Sequence, residues 1–148
     1  MKIDLIVVGK LKDKNLQAIE AEYTKRLPQG MFLIHEVKAH SDQISQEHLA
    51  IEKKILSLKK PHSKIYALTE WGEHFSSLEF SKLFFRQDHI HIICVIAGAH
   101  GHSEDFLKNV NKKVSLSKLT FPHRIARILF IEQIYRAYTI DKGHPYHN

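Results

Sequence analysis

The stretch that most narrows the possible folds is residues 89–97, HIHIICVIA, where apolar and mostly β-branched residues follow one another with little alternation. A strand covered on one face alternates apolar with polar residues. A near-continuous apolar strand needs a layer on each side, as the centre of a parallel sheet does. The rest of the chain supplies the partners. Residues 3–8 (IDLIVV, with Asp4 inside the run), 31–38 (MFLIHEVK), 64–69 (KIYALT) and about 114–119 read as further strands.

Amphipathic stretches separate them. Residues 14–27 place Leu16, Ile19, Tyr23 and Leu27 on one helical face, and residues 45–60 do so with Leu49, Ile51, Ile55 and Leu58 until Pro61 stops the helix. A polar loop from Glu70 to Phe75 leads to Ser76 and Glu79, whose spacing is that of a capping box opening a helix over 77–86. Ser103 caps a short helix, with Glu104 and Asp105 well placed for its dipole. A long helix follows Phe121-Pro122-His123, with Pro122 in its first turn and Thr120 as N-cap. Its expected apolar face is Ile125, Ile128, Leu129, Ile131, Tyr135 and Tyr138, and Arg124, Arg127 and Arg136 add positive charge. The alternation predicts a single α/β domain over residues 1–148, a mostly parallel sheet with helices on both faces.

Composition excludes several classes. There is no run of eighteen apolar residues, so no membrane span is expected, and MKIDLIVVGK reads as a strand and not as a signal peptide. The single Cys94, inside the central run, argues against a disulfide framework and fits a reducing compartment; a cytoplasmic protein is expected. A net charge of +6 favours polyanions, of which nucleic acid is the commonest.

In a parallel sheet ligands bind beyond the carboxyl ends of the strands. Three loops leave those ends in the second half, starting at Leu68, Gly98 and Ser117. The middle one reads IAGAHG, residues 96–101. Trp71 and Phe75, in the loop after the third strand, can stack on a base or plug the edge of the core. His89 with His91 and His100 with His102 form pairs without an accompanying cysteine or carboxylate cluster, so no metal is expected.

VGKLK at 8–12, IAGAHG at 96–101, LSKLTFPHRIARILFIEQIYRAY at 116–138 and the ending HPYHN at 144–148 together resemble the ribosomal RNA large subunit methyltransferase H family, of the SPOUT class. The resemblance covers the whole chain. It implies an α/β-knot fold with a C-terminal trefoil knot, a homodimer, and S-adenosyl-L-methionine as cofactor. It implies methyl transfer to N3 of a pseudouridine in the helix 69 loop of 23S ribosomal RNA in the assembled ribosome, without a metal. By matching positions it implies a cofactor site at Leu68, Gly98, Ser117, Lys118, Leu119, Thr120, Phe121 and Pro122. Leu68, Leu119 and Phe121 would wall the adenine. It places catalysis in the tail, with His147 receiving the imide proton and Tyr146 orienting or stacking. The tail adds nothing evident to the core, so its removal should spare folding. The chain departs from the family's usual residues at Thr69, Glu73, Ala97, His100 and Asn148. The alternative is a non-catalytic RNA-binding α/β protein of the same fold, and cofactor binding separates the two.

Overall fold

The computed structural model describes residues 1–40, 42–86, 88 and 90–147. Among them are the strands β1 (Lys2–Val8), β2 (Phe32–Val37), β3 (Ser63–His74), β4 (His91–Ile96) and β5 (Lys112–Ser115). The helices are α1 (Lys14–Thr24), α2 (Ile44–Leu58), α3 (Ser77–Phe85), α4 (Glu104–Asn109) and α5 (His123–Lys142). The sheet runs β2-β1-β4-β3-β5 and each neighbouring pair is parallel. The apolar run is its centre: all six residues of β4 are buried.

The period of two along the strands divides the core. Ile3, Leu5 and Val7 face one side with Ile92, Cys94 and Ile96, against Phe80, Phe84, Phe130, Ile131 and Ile134 of α3 and α5. Ile6, Val8, Ile93 and Val95 face the other, against Ile51 and Ile55 of α2. Each fully buried side chain of this size stabilises by roughly 1.5–3 kcal/mol. Cys94 has no exposed surface, and burial pushes its thiol well above the ordinary value. Among the described residues no helix is long and apolar enough to cross a membrane.

The alternation puts Asp4 on the α2 side with Ile6 and Val8. A carboxylate there needs partners. His35 Nε2 meets Asp4 Oδ1 at 2.8 Å, His91 Nε2 meets Oδ2 at 2.6 Å, and Lys2 Nζ is 3.4 Å from Oδ2. Ser63 Oγ accepts the Lys60 N–H at 2.7 Å and lies 2.6 Å from His91 Nδ1. Its hydroxyl proton is thus free for Nδ1, which leaves Nε2–H to donate to Asp4. Burial raises the Asp4 pKa, and the two histidines and Lys2 more than offset it, so the group stays below its ordinary 3.8.

Three expectations about the ends of elements are corrected. Residues 70–74 are not a loop: β3 continues to His74 with a break in register, so that Leu68 and Glu73 both oppose Val114. The charged segment Glu-Trp-Gly-Glu-His hides this strand because most of its side chains face solvent. Gly72 allows it, since a Cβ there would lie 2.7 Å from the backbone of Lys113 and Val114. The fifth strand lies at 112–115 and not at about 114–119, so residues 116–122 are a loop. Thr120 does not cap α5. Pro122 occupies the cap position with φ −53°, and its carbonyl accepts the Ile125 and Ala126 N–H groups.

The apolar face of α5 is also displaced. Phe130, Ile131, Ile134 and Ala137 are buried, whereas Ile125, Ile128, Tyr135 and Tyr138 are half-buried and Leu129 is exposed. Arg127 shares the buried stripe. Its Nε and Nη2 donate to Glu20 at 2.6 and 2.9 Å and its Nη1 to Glu36 at 2.8 Å. Burial opposes the charge, and the two carboxylates hold the guanidinium pKa above its ordinary value. Arg127 therefore ties α5 to α1 and β2 and is not a free surface cation.

Candidate active site

β3 lies between β4 and β5, and its residues Leu68 to Trp71 line one cavity of about 900 Å³ together with the loops that leave the carboxyl ends of β4 and β5. Leu68, Gly98, Ser117, Leu119, Thr120, Phe121 and Pro122 all line it, so most of the expected cofactor residues come together. Lys118 sits in the same loop, exposed, without lining the cavity. Ile96, Leu107, Leu116 and Ala126 extend the apolar wall, and Thr69, His100 and His123 add polar groups. This volume is within the range of small-molecule sites, which are mostly apolar with a few polar groups.

Each loop is held by its own sequence. In the last, Ser117 Oγ accepts the Leu119 N–H at 3.0 Å, and Ser115 Oγ donates to the Ser117 carbonyl at 2.8 Å. In the glycine loop the Gly101 N–H donates to the Gly98 carbonyl at 3.0 Å. His102 Nε2 donates to the Leu68 carbonyl at 2.9 Å, and its ring stacks on Phe106, tying this loop to β3 where its pairing with β4 ends. Burial pushes the His102 pKa below 6.5, with the bond to Leu68 acting the other way. Ala97 is buried, and among the described residues no non-glycine residue has positive φ, so the methyl at 97 sits without backbone strain. At Gly98 a Cβ would collide with Glu47 Oε1, with Val8 Cγ1 3.2 Å away.

The two aromatic residues expected in a loop after the third strand part company, Trp71 lying within β3 and Phe75 just beyond it. Phe75 packs against the core with Lys112 over its ring. Trp71, the chain's single tryptophan, is 84% exposed on the wall of the cavity, and its backbone N–H donates to Thr69 Oγ1 at 3.3 Å. Glu73 pairs with Lys112 at 3.0 Å.

The tail lies elsewhere. Tyr146 Oη donates to Glu132 Oε1 at 3.1 Å, and its ring packs on Tyr135 and under the Arg136 guanidinium. Burial, then Tyr23 and Glu132, push its phenol well up. Arg136 Nη1 donates to His147 Nδ1 at 3.1 Å. Arginine can only donate, so Nδ1 accepts here and the proton of a neutral ring lies on Nε2. His123 and Ala126 line the cavity and Arg136 holds the tail, a separation of about 15 Å along α5. Within one chain the two expected catalytic residues are therefore not at the expected cofactor residues. The tail is also packed, which corrects the expectation that it contributes nothing to the fold.

His91 belongs to the Asp4 cluster and His102 to the Leu68 carbonyl; His89 and Asn148 lie outside the described residues. Among the described residues no group of three or more His, Cys, Asp or Glu is arranged to hold a metal ion. Glu47 and His102 were missed in the sequence. Glu47 is a charged residue in phase with Ile51 and Ile55 on the buried stripe of α2, which was a usable sign. His102 carried none.

Residues 1–147 match a family model described as Predicted SPOUT methyltransferase. The chain is 37% identical over 158 aligned residues to the ribosomal RNA large subunit methyltransferase H of Flavobacterium psychrophilum, covering 100% of this chain and 99% of that protein. It is 39% identical over 158 residues to the protein of that name from Clostridium acetobutylicum, and 40% identical over 151 to that from Mycoplasmopsis synoviae, with 99% of both partners covered in each case.

Proposed function

This chain belongs to the SPOUT methyltransferase family, and from that premise we propose that it methylates N3 of a pseudouridine in the helix 69 loop of 23S ribosomal RNA. The methyl donor is S-adenosyl-L-methionine, and the substrate is the assembled ribosome in the cytoplasm. The observation that carries the reading is the convergence of the loops after β4 and β5 with the irregular stretch Leu68 to Trp71 of β3 on one largely apolar cavity. The cofactor supplies an already activated methyl group.

The chain's own residues bind and orient. Leu68, Leu116, Leu119 and Phe121 offer flat apolar walls for a purine, and the backbone of residues 97–101 and 117–121 offers amides to its polar edge. Lys118, His123 and Arg124 are exposed around the mouth and meet phosphates, which position an RNA without reading its sequence. The cavity's volume leaves space for a nucleobase beside the cofactor, and Trp71 offers that base a stacking face. The segment from β5 through α5 is the part that the family resemblance expects to be knotted.

His147 receives the N3 proton and Tyr146 orients it. Their distance from the cavity of their own chain favours a homodimer in which each tail serves its partner. Half-exposed Ile125, Ile128 and Leu129 on α5 suit such a contact. His147 must leave Arg136, which frees the Nδ1 lone pair, before it can accept a proton. Calorimetry with S-adenosylhomocysteine followed by mass spectrometry of 23S RNA fragments from treated ribosomes tests the reading. Micromolar binding and one added methyl group at a helix 69 pseudouridine are expected. No heat at millimolar ligand, or binding without methyl transfer, contradicts it.

A further inference from the structure

Two successive residues in the first turns of α2 hold the glycine loop. Glu47 is 3% exposed and does not line the cavity. Its Oε2 accepts the His40 N–H at 3.3 Å, and its Oε1, against Gly98, is a buried oxygen with no hydrogen-bond partner. A buried acceptor left unpaired is unfavourable and calls for an explanation. His48 Nε2 donates to the Gly101 carbonyl at 3.1 Å. The turn from Gly98 to Gly101 is thus held at one end by contact with Glu47 and at the other by a hydrogen bond.

We propose that Glu47 is a positioning residue of the cofactor site. Its carboxyl group fills the space beneath Gly98 and sets where the 97–101 loop stands, so the glycine at 98 answers to Glu47 and not to the close approach of a ligand. The inference rests on reading the cavity as the S-adenosylmethionine site. It has a distinctive consequence: a methyl group at 98 is excluded chiefly by the side chain at 47, with Val8 Cγ1 at 3.2 Å having to give only slightly, so a shorter side chain at 47 makes most of the room.

The test compares the wild-type protein with Gly98→Ala, Glu47→Ala and the double variant. S-adenosylhomocysteine affinity is measured by calorimetry, and melting temperature is measured without ligand. Gly98→Ala should weaken binding about tenfold or more and lower the melting temperature, as overpacking against a fixed neighbour does. The double variant should return to within about threefold of Glu47→Ala in affinity and regain the melting temperature lost to the methyl group, the coupling expected of touching residues. Gly98→Ala combined with Glu47→Gln should stay as weak as Gly98→Ala, because the amide fills the same space. Additive losses in the double variant, or normal binding by Gly98→Ala alone, overturn the proposal. A wild-type protein that does not bind the ligand overturns the cofactor reading instead, and the unliganded melting temperatures still decide whether 47 and 98 are coupled.

Discussion

At the N-terminal end of the sheet, Asp4, His35, His91 and Ser63 exchange hydrogen bonds of 2.6 to 2.8 Å in a cluster whose carboxylate has no exposed surface. At the C-terminal end, the same strands run into loops around a cavity of about 900 Å³ that leave Trp71 and Leu119 84% and 70% exposed. Between the ends the strands are equally apolar. The first end satisfies its polar groups internally and is closed; the second keeps polar edges and apolar surface for a ligand. Stability and binding are thereby separated along the strand axis, as in parallel sheets generally, whose binding loops follow the strand carboxyl ends.

If that separation holds, substitutions at one end should not be felt as binding at the other. The largest effect belongs to the closed end. Asp4→Ala leaves His35 and His91 without their buried acceptor and should cost about 3 kcal/mol, lowering the melting temperature by roughly 6–12 °C. Cofactor affinity measured well below that temperature should be unchanged. Because the Asp4 pKa is depressed in the folded state, its contribution is present above 3.8 and lost as the pH falls further. Acid titration of melting temperature should therefore fall more steeply for the wild type than for Asp4→Asn.

The next effect is on catalysis. His147→Ala should reduce methyl transfer by about a hundredfold or more, the range of general-base loss, with cofactor affinity intact. Full activity on ribosomes would remove His147 from the mechanism. Deleting Tyr146 to Asn148 should add a measurable loss of melting temperature, because the Tyr146 ring packs on Tyr135.

Trp71→Ala should raise the KM for ribosomes about tenfold, the scale of one lost base stack, while Trp71→Phe should restore most of it. Since Trp71 is the chain's single tryptophan, quenching of protein fluorescence by a helix 69 hairpin RNA reads the same contact directly. Quenching by cofactor alone, or none by RNA, would count against the assignment.

The smallest effect is one of pH. His102 is buried in its neutral form with a folded pKa below 6.5, so its contribution to stability is present above about 6.5 and lost as the pH falls further, while the Nε2–H bond to Leu68 persists in either form. The melting temperature should fall more in the wild type than in His102→Gln as the pH is lowered from about 6.5, the ordinary histidine value, because the glutamine takes on no charge.

Much of this contrast could be read in the chain. The apolar runs located the strands, and the capping pair Ser76 and Glu79 located α3, because both signals are local. The far part of β3 could not be read, since Glu73 and His74 pair with β5 through the backbone and most side chains from Glu70 to His74 face solvent. Arg127 misled the reading of α5: a charge in phase with Phe130, Ile131 and Ile134 looked like a surface residue until Glu20 and Glu36 arrived from 107 and 91 positions away. Asp4 and Glu47 belong to the same class. Each is a charge on an apolar face, legible as an anomaly but not as a partner. Of the site, the loops after β4 and β5 were legible from topology and the one expected after Leu68 is strand, whereas the place of the tail depends on how Tyr146 packs against Tyr23, Glu132 and Tyr135.

Hydrogen exchange with and without S-adenosylhomocysteine, read by mass spectrometry, tests the separation of the two ends most directly. The account predicts that ligand slows exchange in residues 68–72, 96–102 and 116–123, and leaves residues 2–5, 33–36 and 63–65 unchanged. Slowed exchange around Asp4, His35 and Ser63, or no change in the three cavity segments at saturating ligand, would contradict it.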